Sequence, residues 1–488
     1  MRVGGARIAL CGVIMALSIA PARADTLRDA LASAYNTNPT LQAARANQRG
    51  VDENVVIERA AGLPRAAGDA SYSEVLHNSY SDPGNLYPDR QVNAGLSLSV
   101  PVYSGGAVRN AVRAAKVRVK AGQADLRATE SAIFSQVTAV YMDVILNEAI
   151  VGLNMKLVDV LGVNLQATSD RFEIGDLTRT DVAQSSARLE LARGDLRSAR
   201  ANLVEARERY IRLVGHEPNQ LTPPPPMPSM PASAEEAVAV ALQFNPDLLA
   251  AQERADAARY DIKVAGSTRL PTVELFTSGN FADSLGSGAL ATDMINGLGS
   301  DRTTSASAGV RATIPLYQGG RPAALERQAQ AGASAALEQQ VAMEREVIAQ
   351  VRSAYSSWQA ANAIIASTES AISAATLSLE GVQAENTVGN RTVLDILNAE
   401  QELRNARVQL VTAQRNAYVA GFTLLAAMGK AEARDLDLDT GGPLYDPQNN
   451  YRRVKGKYFD WSFDPDPVTQ ATRTVDSPAQ DGEISGTQ

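Results

Sequence analysis

Cysteine, histidine and aromatic side chains are scarce in this 488-residue chain, which has one Cys, two His and 5% Phe, Trp and Tyr. Cys11 lies in an apolar N-terminal stretch, so past that stretch there is no disulfide framework and no thiol chemistry. His77 and His216 are far apart in sequence and neither belongs to a metal-binding spacing. A nucleophile elbow and a P-loop are also missing, and the Gly-Gly pairs lack the spacing of a dinucleotide site. Asp464 and Asp466 lack the rest of a calcium loop. An enzyme is therefore not expected, and neither is a cofactor.

Long apolar runs are lacking too. Residues 1–24 read as a secretory signal: Arg2 and Arg7 precede the apolar run 8–20, and Ala22-Arg23-Ala24 supplies an Ala-x-Ala cleavage site. Leu10 stands before Cys11, where lipidation would want a small residue. Beyond residue 24 no run is long enough to cross a bilayer as a helix, so any membrane crossing must use strands. Removing three Arg and no acids takes the formal charge from −8 to −11, which argues against nucleic acid as a partner.

What is present is a repeat. Gly175 and Gly389 are 214 positions apart (389 − 175), as are Thr178 and Thr392, and Asp181 and Asp395. Each Gly ends a long helical pattern, and each Thr-x-x-Asp restarts one as an N-cap with an acid in the first turn. Val100-Pro101-Val102-Tyr103-Ser104-Gly105-Gly106 recurs as Ile314-Pro315-Leu316-Tyr317-Gln318-Gly319-Gly320, and Tyr141 matches Tyr355 and Gly215 matches Gly429, all at offset 214. Asn38-Pro39 matches Asn245-Pro246 and Leu63-Pro64 matches Leu270-Pro271, both at offset 207. The chain divides into a signal (1–24), a first repeat (25–215), a Pro-rich connector (216–232), a second repeat (233–429) and a C-terminal segment (430–488) with an irregular or disordered tail.

Each repeat predicts a short helix, a medium helix, two strands, a long helix, a tip and a return helix. In 91–100, Val92, Ala94, Leu96, Leu98 and Val100 alternate with Asn93, Ser97 and Ser99; in 304–314, Ala306, Ala308, Val310, Ala312 and Ile314 alternate with polar residues. One apolar face over ten residues suits a lipid-facing barrel strand. Partner strands are expected at 66–76 and 272–281, with turn-rich loops at 81–84 and 286–288. From Gly106 to Gly175, and from Gly320 to Gly389, are 69 residues, or roughly 100 Å of helix. The return helix and the medium helix, about 55 and 36 Å, together nearly match that length. A cylinder of helices capped by strands follows. The return helices carry a heptad: Leu189, Leu196, Leu203 and Tyr210, with Ala192, Ala199, Ala206 and Leu213 three residues on from each. Arg109, Arg113, Lys116 and Lys120 form a basic stripe at the membrane end of the first long helix, read either as a contact for lipid phosphate or the duct wall, or as a solvated face.

Two copies of this order, with Pro-x-Tyr-x-Gly-Gly after each second strand and the tips Arg171-Phe172-x-x-Gly175 and Val388-Gly389-x-Arg391-Thr392, resemble the TolC family of bacterial outer-membrane channels. The resemblance implies an α+β membrane protein: a homotrimer with a twelve-stranded transmembrane β-barrel, four strands per protomer, continued by a periplasmic α-helical barrel. It also implies an exit duct for type I protein secretion or drug efflux. Its partners would be a periplasmic adaptor, an inner-membrane ABC or proton-driven transporter, and outer-membrane lipid. By motif position Thr180, Asp181 and Arg391 match the residues that link the closed tips, and Asp395 matches the first acidic ring. Asn386 stands where the family has a linking Tyr and Asn398 where it has a second ring Asp, so the gate is expected to be less tied and less cation-preferring. The competing reading is a periplasmic coiled-coil scaffold, which explains the heptads but not the strands.

Overall fold

A computed structural model describes residues 25–77, 88–228, 230–287 and 302–484. The signal stretch 1–24, the loop 81–84 and Gly288 lie outside the described residues. The chain order is α1 (Leu27–Thr37), α2 (Pro39–Ala60), β1 (Arg65–Glu74), β2 (Arg90–Ser104), α3 (Ala107–Glu173) and α4 (Arg179–Val214). The second copy gives α5 (Ala234–Phe244), α6 (Pro246–Gly266), β3 (Thr272–Asp283), β4 (Arg302–Thr313), α7 (Arg321–Thr387) and α8 (Val393–Ala427), followed by a short α9 (Pro447–Val454).

Both long helices have 67 residues, about 100 Å. Each starts from a Gly in the left-handed region, Gly106 at φ +84° and Gly320 at +81°. Helix α3 packs on α2 and α6 along its strand-proximal half, and on α4 and α8 toward the tips; α6 and α8 pack in turn on α7. The two shorter helices of each copy thus share one long partner.

Asn38 and Asn245 explain how. Each is an N-cap: Asn38 Oδ1 accepts from Thr40 N–H at 2.9 Å, and Asn245 Oδ1 from Leu248 N–H at 3.0 Å. Each also donates through Nδ2 to the last turn of a return helix, at 2.9 Å to Leu213 O and to Ala427 O respectively. One buried amide therefore satisfies the start of the medium helix and the end of the return helix, where orphan backbone groups would otherwise be left. Gly429 (φ +72°) closes this junction so tightly that a Cβ would lie 2.3 Å from Phe244 O.

The largest core gathers at mid-height, where Leu31, Phe134, Tyr141, Leu203, Tyr210 and Val214 are buried together. The repeated tyrosines hold the connector there. Tyr141 donates to Thr222 O at 2.6 Å, and Tyr355 to Ala232 O at 2.9 Å. The segment after α8 wraps onto the same level. Asn450 of α9 donates to the buried Asp52 of α2 at 2.8 Å, and Ala433 N–H donates to Glu130 at 2.7 Å. Burial pushes both carboxyls above their ordinary range. The tail, expected to be irregular or disordered at its end, forms no regular element between α9 and residue 484 and is held that far: Asp481 pairs with Arg207 at 3.3 Å and Glu483 with Arg200 at 3.3 Å.

The four strands form one antiparallel sheet in the order β1-β2-β3-β4. Strand β2 runs past the expected end at 100, through Pro101, because the register skips Val102 in a bulge there. The register sorts the two faces. Val100, Leu275 and Val310 form one row, and Leu96 lies between Gly68 and Gly279. On the other face Ser97, Ser278 and Ser307 are neighbours, and Glu274 pairs with Arg311 at 2.7 Å. One face is apolar and the other polar, as the alternation predicts.

Candidate gate at the helical tips

The tips are built twice by the same backbone rule. At the first, Asp176 N–H donates to Arg171 O (2.9 Å) and Gly175 N–H to Phe172 O (3.0 Å). At the second, Asn390 N–H donates to Glu385 O (2.9 Å) and Gly389 N–H to Asn386 O (3.0 Å). These paired bonds are a Schellman closure, and they need the left-handed Gly175 (φ +84°) and Gly389 (φ +83°).

An ion pair spans each turn with inverted polarity. Arg171 pairs with Asp176 at 2.7 Å in the first tip, and Glu385 with Arg391 at 2.7 Å in the second. Arg171 and Glu385 are repeat-equivalent positions (385 − 171 = 214). The tip motifs contained Arg171 and Arg391 but neither partner, Asp176 or Glu385; a charge of either sign six or fewer residues across a Gly was the available signal.

The acids chosen by motif serve as helix caps in the protomer. Thr178 Oγ1 accepts from Asp181 N–H at 3.3 Å, and Asp181 accepts the Thr178 N–H at 2.9 Å and its hydroxyl at 2.7 Å. Thr392 and Asp395 repeat this capping box, with backbone and hydroxyl bonds of 2.9 and 2.8 Å. Bonds from the Thr178 hydroxyl and backbone hold the Asp181 carboxyl below its ordinary range, and those from Thr392 do the same for Asp395. Both are therefore charged at neutral pH. The Glu385 carboxylate raises Arg391.

Thr180 is exposed on the first turn of α4. Within the protomer Arg391 reaches Glu385 rather than Thr180 or Asp181. Asn386 Nδ2 donates to Arg391 O at 2.8 Å, so the residue in the place of the linking Tyr braces its own turn. Asn398 accepts from Arg188 of α4 at 3.0 Å, which ties the two hairpins together. That bond is the lowest rung of a ladder: Arg404 of α8 reaches Asn154 of α3 at 3.0 Å, and Arg415 reaches Asp143 at 2.8 Å. Between the rungs, Leu157, Leu161, Leu189 and Leu397 are buried against each other. These cross-links join residues more than 200 positions apart and leave no local motif.

No helix of the described residues is long and apolar enough to cross a membrane, and none of their His, Cys, Asp or Glu groups could hold a metal ion. The tip therefore offers charged and hydrogen-bonding side chains at the two hairpin turns.

The profile described as "Outer membrane efflux protein" matches residues 30–216 and 237–430. Outer membrane efflux protein BepC of Brucella suis is 34% identical over 440 residues, covering 90% of this chain and 92% of its own. Outer membrane protein TolC of Escherichia coli is 26% identical over 428 residues, covering 85% of this chain and 84% of its own. The Campylobacter jejuni CmeC outer membrane channel has the same fold, with a TM-score of 0.70 at 17% identity, covering 88% of this chain and 89% of its own.

Proposed function

The chain belongs to the outer membrane efflux protein family, an efflux and secretion channel family of the Gram-negative outer membrane, and from that premise we propose that three copies assemble into one gated exit duct. The observation that carries this is the open sheet. Among the described residues four strands end in two unpaired edges, β1 and β4, and an unpaired edge in hydrocarbon leaves each backbone group costing several kcal/mol. Four strands are too few to close, and eight close around a core filled by side chains. Twelve, from three protomers, leave an aqueous lumen lined by the polar face with Ser97, Ser278 and Glu274, while Leu96 and Val310 face lipid.

Below the barrel, α3, α4, α7 and α8 continue the wall into the periplasm, and the tips converge on the closed end. There Asp395, with Asp181 beside it, gives the aperture a negative lining. Thr180, Asp181 and Arg391 link neighbouring tips, exchanging within-protomer bonds such as Arg391–Glu385 for contacts between hairpins. The duct performs no chemistry. Its driving energy belongs to an inner-membrane ABC or proton-driven transporter joined through a periplasmic adaptor, and that transporter selects protein or small-molecule cargo.

Detergent-extracted protein should run as a heat-resistant trimer and float with lipid vesicles. A monomer or dimer that stays in the aqueous fraction would replace the duct by the coiled-coil scaffold.

A further inference from the structure

Directly beneath β1 lies a patch that the duct does not use. After α9, Arg59 of α2 donates to Lys457 O at 3.0 Å and to Lys455 O, and its guanidinium covers the Tyr458 ring at 4.3 Å. Asp464 closes the following loop by pairing with Arg453 at 2.6 Å and Lys457 at 3.0 Å. Inside that loop a turn, Ser462 N–H to Phe459 O at 3.1 Å, brings the Phe459 and Trp461 rings within 5.5 Å of each other. The loop is thus firmly held, yet it holds its aromatics outward: Trp461 is 71% exposed and Phe463 80%. Rigid presentation of three large apolar rings to water is costly and marks a contact surface.

We propose that the Phe459–Trp461–Phe463 loop is a second membrane contact, an aromatic foot that rests on the periplasmic leaflet of the outer membrane outside the barrel. Position argues for it. The loop and the root of the sheet line one cleft of about 810 Å³, with Leu63, Pro64 and Arg65 on one side and Phe459, Phe463 and Asp464 on the other. Arg65 is the first residue of β1, so the rings stand at the level where the strands leave the bilayer. Chemistry argues for it as well. Aromatic rings favour the headgroup level, where one end is apolar and the other wet, and they alternate here with Asp460 and Ser462, which keep the segment at the surface rather than in the hydrocarbon. Exposed Arg65 and Lys455 supply positive charge for lipid phosphate.

This inference rests on the reading that the sheet is the lipid-embedded wall, and the test separates the two. The chain has two Trp, so the spectrum of the intact protein minus that of Trp461→Phe isolates Trp461 emission. The purified full chain is reconstituted into phosphatidylglycerol-containing vesicles with acyl chains brominated near the headgroup; Leu96→Trp on β2 serves as the wall reporter. A blue shift and loss of Trp461 emission in brominated lipid, with protection from aqueous iodide, is the expected result. Overturning results are a Trp461 signal quenched by iodide but not by brominated lipid, or one shielded from both, which would bury the rings against a neighbouring protomer. If the Leu96→Trp reporter is also unquenched by lipid, the wall reading fails with it; if only that reporter is quenched, the wall stands and the foot does not.

Discussion

Asn245→Ala should loosen the junction between α6 and α8 without dissolving the fold. Two bonds are lost: the cap from Asn245 Oδ1 to Leu248 N–H and the bond from Nδ2 to Ala427 O. A lost N-cap costs about 1 kcal/mol. Asn245 is only 3% exposed, so little water is at hand to replace its donor, and the uncompensated carbonyl adds roughly 1–3 kcal/mol. The sum, about 2–4 kcal/mol, should accelerate hydrogen exchange at the start of α6 and the end of α8 by roughly 30- to 1,000-fold. Exchange measured by mass spectrometry on the detergent-purified protein reads this peptide by peptide. Asn245→Asp separates the two contributions, because it keeps the capping acceptor and removes the donor; it should open the end of α8 more than the start of α6. Asn38→Ala should give a matching effect at α2 and α4, since Asn38 donates to Leu213 O at the same 2.9 Å. Exchange rates within twofold of the intact protein at both junctions would refute the claim that these amides latch the medium helices to the return helices.

Other predictions concern the tips and the tight turns. Asp395→Ala should lower cation preference in planar bilayers, and unchanged selectivity would mean that Asp395 is only the helix cap seen in the protomer. Asp181→Ala combined with Arg391→Ala should raise the resting conductance, while Thr178→Ala, which removes the same cap but no charge, should not; equal effects would assign the change to helix fraying. Gly429→Ala forces a Cβ to within 2.3 Å of the Phe244 carbonyl at φ +72°, a cost of about 2–5 kcal/mol. Gly175→Ala meets open space at φ +84° and should cost only about 1–2 kcal/mol. Yields of heat-resistant trimer should therefore fall far more for Gly429→Ala, and similar yields would contradict the packing described here.

Much of this architecture is readable along the chain because it was written twice. Pairs at a fixed offset, such as Asn38 and Asn245 or Gly175 and Gly389, do the same work in both halves, since a cap or a left-handed turn depends on a few adjacent residues. Tyr141 and Tyr355 stood out only as a repeated pair; their shared task of holding the connector depends on the tertiary fold. Strand ends were less legible. Pro101 looks like a terminus, but a bulge at Val102 lets β2 continue to Ser104. The tail was legible in its irregular backbone but not in its contacts. Its Pro- and Asp-rich composition suits disorder, whereas its anchors, Arg207 and Arg200, lie more than 270 positions upstream. The Arg188, Arg404 and Arg415 ladder was invisible on the same ground: a long polar side chain on a helix says nothing about which distant helix it meets.

At the tips the local geometry gives the acids picked out by motif a capping role in addition to the gate role proposed for them. Asp181 and Asp395 each complete a capping box, and lining the proposed aperture is compatible with that use because a capping carboxylate remains ionised.

Single-channel recording of the purified protein in a planar bilayer tests directly whether it forms the proposed gated channel. A gated duct should give a small, cation-preferring conductance that rises when Asp181 and Arg391 are both replaced by Ala. Trimers that insert into the bilayer yet conduct nothing, both intact and with the tip residues replaced, would contradict it.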